Sequence, residues 1–210
     1  MELDPTSLSQ RDRYKLLIGG IVPRPIAFVS TVSPNGAVNL APFSFFAGVS
    51  SEPMSLLFCP ANKADGAEKD TLRNILAHHP DGVGAPLVVN TVPHAIAAQM
   101  ALCAEELPYG ESEFDLSRLT PTPSTRVPVP RVKESPLAYE CEVMRVIRLA
   151  PGVASGGNVV LARVVWVHAD DRVIDAGLRL NPDGLDLVGR MGGLGYCTTR
   201  ERFELPMGRG

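Results

Sequence analysis

The sequence predicts a mainly β protein with a few flanking helices. Two observations indicate this class: a strand–turn–strand pattern lies at residues 26–46, and the stretches with helical spacing are short. A third is the set of later apolar or alternating runs of strand length, at 54–59, 85–91, 137–149 and 158–168. We expect a single domain over residues 1–210. Its margins are an N-terminal arm (1–20), a proline-rich excursion (107–136) and a tail (203–210) that we expect to be frayed.

The arm leads into the first strand. A short helical turn is expected around residues 13–17, and Gly19-Gly20 ends it. Arg24 precedes Pro25, and the residue before a proline avoids the α region. The chain therefore enters the strand in an extended conformation.

Residues 26–46 form a predicted β-hairpin. Residues 26–32 are rich in β-branched and aromatic side chains, and residues 33–36 (Ser-Pro-Asn-Gly) are a turn signal. The second strand is expected from about Ala37. Small polar groups meet apolar ones at its exit: Ser30, Thr31, Asn39 and Ser44 stand beside Pro42, Phe43, Phe45 and Phe46. A flat amphipathic ligand needs this combination, but a core hairpin whose polar residues satisfy turns would show it too.

A loop (49–53), a strand (54–59) and a polar loop (60–68) come next. A short helix then follows, with Asp70 as the expected N-cap and Leu72, Ile75 and Leu76 on one stripe. A helix start suits an anion, and Lys69 and Thr71 stand beside it. A routinely capped surface helix with a solvated lysine is the alternative.

The next segment pairs a buried strand (85–91) with a packing helix. The helix begins at Pro93-His94 and carries Ile96, Met100 and Cys103 on one side. Residues 107–136 are rich in proline and exclude a regular helix or a central strand. Such a long connection favours a function, such as covering a site or crossing a partner subunit, over a loose surface loop.

Two long strands are predicted after the excursion. In 137–149, Tyr139, Cys141 and Val143 point one way and Glu140 and Glu142 the other, with a phase slip at Met144-Arg145 that indicates a bulge. In 158–168 both faces are apolar; the set Val160, Ala162, Val164, Trp166 and His168 is predicted to share one of them. A strand that is apolar on both faces is covered on both, which indicates either a homodimer or a helix of the same chain.

The C-terminal part is predicted to be loop-rich over 180–196, after a short strand at 172–174. Arg190 precedes Met191-Gly192-Gly193 and places a cation beside a flexible backbone. That arrangement suits a phosphate or the electron-rich edge of a ring, with a structural ion pair as the alternative.

Composition excludes several classes of function. The net charge is −3 and there is no basic run, so a nucleic-acid partner is not expected. No run of about 20 apolar residues spans a membrane and no signal-peptide core precedes the domain, so we expect a cytoplasmic protein. The four cysteines are widely spaced, and neither a metal site nor a disulfide is expected.

Four stretches, in order, carry a resemblance to a known family. They are residues 22–31 (VPRPIAFVST), 39–46 (NLAPFSFF), 69–75 (KDTLRNI) and 190–196 (RMGGLGY). The chain resembles the flavin reductase-like family of FMN-binding split β-barrels, in the branch with flavoredoxin and the reductase components of two-component monooxygenases. The resemblance implies a Greek-key antiparallel barrel. It also implies an FMN cofactor, with FAD as an alternative.

The resemblance also implies site residues. The phosphate side would be held by Lys69, Thr71 and Asn74, with Lys63 as a weaker addition. The ring and ribityl chain would contact Ser30, Thr31, Asn39, Ala41, Pro42, Phe43, Ser44, Phe45 and Phe46, with Arg190 and Tyr196 also near the flavin. No catalytic residue is assigned, because the flavin itself carries the redox chemistry.

The implied activity is NAD(P)H-dependent reduction of FMN for a separate flavin-dependent oxygenase. Some reductase members carry Gly-Asp-His before the strand at 158–168, whereas this chain reads Ser155-Gly156-Gly157-Asn158. That departure weakens the case for nicotinamide-dependent reduction. It keeps open a flavoredoxin-like electron carrier that serves another protein, or a non-redox flavin-binding protein.

Overall fold

A computed structural model describes residues 1–206 and Gly208. Its sixteen elements, in chain order, are α1 (Gln10–Gly20), β1 (Ala27–Val32), β2 (Val38–Phe43), β3 (Phe46–Ser51), β4 (Met54–Phe58), α2 (Asp70–His78), β5 (Pro86–Asn90), α3 (Ala97–Leu102), α4 (Glu113–Ser117), β6 (Pro121–Thr122), β7 (Arg131–Val132), β8 (Leu137–Arg148), β9 (Asn158–Ala169), α5 (Pro182–Leu185), β10 (Val188–Arg190) and β11 (Tyr196–Thr198). No helix in this described part is both long and apolar enough to cross a bilayer.

Seven antiparallel strands form the main sheet, in the order β2-β1-β5-β8-β9-β4-β3. Its two edge strands, β2 and β3, are joined by Ser44 and Phe45 alone. Because the three steps from Phe43 to Phe46 span at most about 11 Å, the sheet must curl until its edges meet at that end. The result is a barrel that is split between β2 and β3, which agrees with the predicted mainly β, split-barrel class.

The interior of the barrel is apolar. Val29, Val89 and Cys141 are completely buried there, and the rings of Phe43 and Phe58 pack with centroids 5.4 Å apart. The described residues contain four clusters of buried apolar side chains. One fills the barrel, one lies between the first hairpin and α3–α4, one lies beneath the proline-rich excursion, and one lies near Leu185. The excursion is therefore packed against the sheet.

The predicted hairpin is confirmed. Thr31 pairs with Asn39 across it, and the turn closes with Ser33 N–H on the Ala37 carbonyl at 2.9 Å. Gly36 has φ of 88°, the left-handed conformation that a glycine adopts without strain. The bulge predicted in the 137–149 strand is also confirmed, since the register of β8 shifts between Val143 and Arg145.

Several predicted boundaries were wrong. Residues 49–51 belong to β3, in which Ser50 and Ser51 pair with Ser55 and Met54 of β4. Residues 172–174 form no strand, and Ile174 makes only a single bridge to Leu180. The arm contains a full helix, α1, where a single helical turn was predicted. At the start of α2, Lys69 occupies the N-cap position and Asp70 is the first helical residue.

Three further segments are more regular than predicted or differently built. The helix expected from Pro93-His94 is a 3₁₀ turn (His94–Ile96) followed by α3. The excursion contains α4 in its part without proline, together with the short β6–β7 pair. The region 180–196 holds α5, β10 and the start of β11. The described end of the 203–210 tail, residues 203–206 and 208, has no helix or strand; its other residues lie outside the described part.

The predicted face of the 158–168 strand holds only as far as Val164. Val160, Ala162 and Val164 contribute to the barrel core, whereas Trp166 lies against Arg126 and His168 against Glu140, both outside it. A second register shift, between Glu140 and Cys141, causes the change of phase.

Candidate functional site

A small open cleft lies beside the split of the barrel. It lies between the β2 edge strand, the 60–69 loop with the start of α2, and the chain that leaves α3. Its lining residues are Asn39, Ala41, Pro42, Phe43, Lys63, Lys69, Asp70, Thr71, Cys103, Ala104, Glu105, Glu106, Leu107 and Glu113. The structure thus brings together seven of the residues that the family resemblance implied, four from the hairpin and three from the helix start.

A buried hydrogen-bond network forms the floor between the hairpin and α2. Asn39 Nδ2 donates to Thr71 Oγ1 at 2.9 Å, and Asn74 Nδ2 donates to Thr31 Oγ1 at 3.0 Å. Tyr109 donates its hydroxyl proton to Asn74 Oδ1 at 2.9 Å. All except Tyr109 are at most 8% exposed. These side chains fix the position of the helix start relative to the hairpin, because every bond in the network joins two different elements.

The start of α2 meets the requirements of an anion site. The helix is nine residues long, and no side-chain hydrogen bond caps it. Lys63 lies 3.1 Å from Asp70 Oδ1, and Lys69 lies 3.5 Å from Glu106 Oε1. The helix dipole, the uncapped first turn and two lysines favour a negatively charged group here.

Glu113 is a residue of the cleft that sequence reasoning did not select. It belongs to α4, is 95% buried, and accepts the Leu40 N–H at 2.8 Å. Burial raises the pKa of its carboxyl, the Leu40 N–H opposes that change, and Asp70 and Lys63 act in opposite directions. Its position in an otherwise polar segment, next to Phe114, was the only sequence signal, and it did not distinguish Glu113 from its neighbours.

Several implied site residues lie outside this cleft. Ser30 is fully buried and donates its hydroxyl proton to the Pro130 carbonyl at 2.6 Å, which anchors the excursion. Arg190 donates to the Gly193 carbonyl at 2.7 Å and lies over the ring of Tyr196, 4.4 Å from its centroid. No carboxylate pairs with Arg190 in the described part of the chain, so the ion-pair alternative has no support there.

Ser44 and Phe45 form the two-residue link between the edge strands. Ser44 Oγ accepts from Arg24 Nε at 3.3 Å, and Phe45 lines a second open groove of about 1430 Å³ beneath α1. Phe46 starts β3 and packs against the barrel core. The link therefore separates the cleft from the second groove, where Tyr14, Leu17 and Leu149 contribute apolar surface.

Arg24 holds this region together and was also missed as a site residue. Its guanidinium is 4% exposed and donates to the carbonyls of Ile18 (2.6 Å), Ile21 (2.8 Å) and Met191 (3.0 Å). Those bonds satisfy the C-terminal end of α1 and tie it to the Met191 loop. Its place in the VPRPIAFVST stretch was the available signal.

The cleft fits a flavin on the chemistry of its walls. Pro42 and Phe43 offer apolar contact, and the helix start with Lys63 and Lys69 offers a place for a phosphate group. No group of three or more potential metal ligands occurs among the described residues. All four cysteines are free, with Cys103 and Cys141 buried.

Comparison with known proteins agrees with this geometry. The family model described as "Flavin reductase like domain" matches residues 19–187. Nitrilotriacetate monooxygenase component B from Bacillus cereus is 34% identical, with a TM-score of 0.89 and 98% of each chain covered. The 2-nitrobenzoate 2-nitroreductase NbaA of Pseudomonas fluorescens is 30% identical, with a TM-score of 0.85 over 99% of this chain and 96% of that one. At 22% identity, a candidate flavin reductase with a split barrel domain from Shewanella frigidimarina has the same fold (TM-score 0.81, covering 99% and 100%).

Proposed function

Because the chain belongs to the flavin reductase-like family, we propose that it is an FMN-binding oxidoreductase that uses NAD(P)H to reduce flavin. The observation that carries the proposal is the cleft at the barrel split, where apolar β2 residues face a lysine-flanked helix start. Such a cleft offers one wall for a ring and another for its phosphate. When bound, the flavin supplies the hydride-accepting and electron-donating chemistry.

The proposal assigns distinct tasks to the site residues. Lys69 and Lys63 offset the phosphate charge, and Ala41, Pro42 and Phe43 contact the ring and ribityl chain. Thr31, Asn39, Thr71 and Asn74 act mainly by holding these two walls in register, since their side chains bond to one another. The other assigned residues either position the elements around the cleft or contact the flavin from the side of the second groove. They are Ser30, Ser44, Phe45, Phe46, Arg190 and Tyr196.

A partner oxygenase and a second copy of this chain are further parts of the proposal. The similarity to a monooxygenase component B supports a role as the component that delivers reduced flavin. Exposed apolar residues on the sheet support a homodimer, among them Met54 on β4 and Ile147 on β8. We place this activity in the cytoplasm, with FAD as an alternative flavin.

A second candidate function is favoured by one observation. Asn158 ends the segment that replaces Gly-Asp-His, and its side chain is 1% exposed and donates to the Pro60 carbonyl and Asn62 Oδ1, each at 2.9 Å. Its amide therefore faces inward and has no free group for a nicotinamide. This favours a flavoredoxin-like carrier that receives electrons from another protein.

Anaerobic mixing with NADH and with NADPH tests the two candidates. A reductase bleaches the flavin absorbance with one nicotinamide alone and turns over added FMN. A carrier stays yellow until a donor protein is added. Tight FMN binding raises the apparent stability by a few kcal/mol at saturating ligand, so a colourless protein whose melting temperature ignores FMN would refute both.

A further inference from the structure

The cleft holds more negative than positive side chains. Its acidic groups come from α2, from the chain after α3 and from α4, and they are Asp70, Glu105, Glu106 and Glu113. Its cations are Lys63 and Lys69, and each already pairs with a carboxylate, Asp70 and Glu106 respectively. A phosphate ester therefore enters a cleft whose lysines are not free, and the surplus negative charge must be relieved when it binds.

Glu113 is the acidic group least able to keep its charge. It is 95% buried, and no lysine or arginine forms an ion pair with it in the described residues. Oε2 accepts the Leu40 N–H, while Oε1 has no hydrogen-bond partner there. In the described residues, Arg131 Nε is the only side-chain polar atom that is fully buried and has no hydrogen-bond partner. Because Oε1 also has no partner, it must keep some accessible surface. Since Glu113 lines the cleft, that free oxygen is the one available to a ligand.

We propose that Glu113 contacts the bound flavin and takes up a proton when the phosphate-bearing flavin binds. The inference rests on the proposed function. A buried carboxylate close to an incoming dianion is destabilised by like charge, whereas the neutral acid removes that repulsion and gains an O–H donor. The other carboxylates of the cleft have a cation partner or an exposed position.

Burial and the nearby Asp70 also favour the protonated form of Glu113. Burial raises the pKa of Glu113 and Asp70 raises it further, whereas the Leu40 N–H, its own backbone N–H and Lys63 lower it. Cys103, Glu105, Glu106 and Lys69 are the remaining titratable groups of the same cleft. An added phosphate charge raises the pKa of Glu113 again, so the bound state holds more protons than the free state at neutral pH.

Isothermal titration calorimetry at pH 7, in two buffers of different ionisation enthalpy, tests this by counting protons taken up per ligand. We expect uptake of a measurable fraction of a proton per FMN in the wild type and less with riboflavin, which has no phosphate. Glu113→Gln should lose that uptake, and it keeps an oxygen for the Leu40 N–H. Glu111→Gln, which removes an exposed carboxylate of the neighbouring segment outside the cleft, should behave as the wild type.

Equal proton uptake in wild type and Glu113→Gln would overturn the inference while leaving FMN binding intact. Failure of the wild type to bind FMN would instead refute the proposed function. If Glu113→Gln does not fold, the wild type still decides the matter between pH 7 and 9, where the FMN phosphate stays dianionic. We expect FMN affinity to fall about fivefold across that range and riboflavin affinity to change less; parallel changes would overturn the inference.

Discussion

At the scale of the residue, Lys69 provides the most direct test of the proposed phosphate position. Lys69 is the N-cap residue of α2, and its ammonium group pairs with Glu106 at 3.5 Å. This ion pair is partly exposed, so a phosphate can replace Glu106 as the partner. We expect Lys69→Ala to weaken FMN binding about tenfold, because a charge-assisted bond to phosphate is lost, and to leave the fold intact. Fluorescence titration of FMN measures the affinity.

The matched control for this change is Lys133→Ala, which removes an exposed lysine of the excursion outside the cleft. It should leave FMN affinity unchanged. Comparing the affinities of Lys69→Ala for FMN and for riboflavin, which has no phosphate, then shows whether the lost contact was to the phosphate. If Lys69→Ala weakened both ligands equally, the lysine would lie near the ring or act indirectly, and the phosphate assignment would fail.

Glu140 illustrates a residue whose role depends on the tertiary structure. Alternation in the strand predicted that it lies with Glu142 on one face, and nothing in that pattern distinguishes a buried carboxylate from an exposed one. In the fold the Glu140 side chain is completely buried beneath the excursion. It accepts N–H bonds from Thr125 (2.7 Å), Arg126 (2.6 Å) and Val127 (2.9 Å), and His168 Nε2 lies 2.5 Å away. It is the anchor of the tip of the excursion.

Replacing this anchor should destabilise the whole protein. We expect Glu140→Gln to lower the free energy of unfolding by about 3 kcal/mol, because the buried network loses its charge and one of its two acceptor oxygens. Urea unfolding measures the change. Glu142→Gln is the control on the same strand, since its pair with Arg163 is about half exposed and should contribute less than about 1 kcal/mol. A loss equally small at both positions would contradict this role.

The same carboxylate predicts an acid-sensitive stability. Burial alone raises the pKa of Glu140, but the bonds from Thr125, His168, Arg126 and Val127 together lower it. A group whose pKa is lowered on folding stabilises the native state above its unfolded value, about 4.3, and loses that contribution as the pH falls through the folded value. We expect the stability difference between wild type and Glu140→Gln to shrink below about pH 4. A difference that stays constant down to pH 3 would contradict this assignment.

At the scale of the element, local patterns predicted the strands better than their connections. The β-branched and aromatic run at 26–32 and the Ser-Pro-Asn-Gly turn predict the hairpin, because each depends only on neighbouring residues. The β8–β9 bulge at Glu140 could not be located, since it depends on the register in which the two strands pair. The bonds of Thr31 and Asn39 to Asn74 and Thr71 could not be predicted either, because they depend on how α2 packs against the hairpin.

The 60–68 loop offers a test at this scale, because it carries Lys63 and packs on the 150–157 turn. Asn62 Nδ2 donates to the carbonyls of Ala150 (3.1 Å) and Val153 (2.9 Å). A Cβ atom on Gly156 would lie 2.3 Å from the Ala150 carbonyl oxygen and 2.9 Å from Asn62 Nδ2. Gly156→Ala should therefore cost about 2 kcal/mol of stability and weaken FMN binding through Lys63.

Gly157 supplies the control for this loop. A Cβ there would meet only Leu149 Cδ1, at the ordinary contact distance of 3.5 Å. Gly157→Ala should change the unfolding free energy by less than about 1 kcal/mol and leave FMN affinity unaltered. Indistinguishable thermal unfolding of the two alanine variants would show that the turn accommodates the added methyl group.

At the scale of the whole molecule, closure of the barrel determines where a ligand can bind. β2 and β3 are consecutive in the chain, but they form opposite edges of the sheet and do not pair with each other, so the barrel is open between them. The split leaves the outer edge of β2 accessible, and α2 and α4 supply the charged walls beside it. The hairpin motif could be recognised in the sequence, but this juxtaposition required the order of all seven strands.

The outer surface of the same sheet carries the prediction of a homodimer. Met54, Met144, Ile147 and Leu149 are exposed on or beside β4 and β8, and exposed apolar residues mark candidate interaction surfaces. We expect a dimer by analytical ultracentrifugation at micromolar concentration. Ile147→Glu should convert it to a monomer with unchanged circular dichroism, because the charge would be buried without a partner.

Leu178→Glu is the matched control for the dimer. Leu178 is 79% exposed in the connection between Ile174 and Leu180, away from β4 and β8, so the same charge there should leave the dimer intact. A wild-type monomer would remove the second copy from the proposal. If both glutamate variants remained dimeric, the interface would have to lie on another surface, and the groove beneath α1, with Tyr14 and Leu17 exposed beside it, would be the next to test.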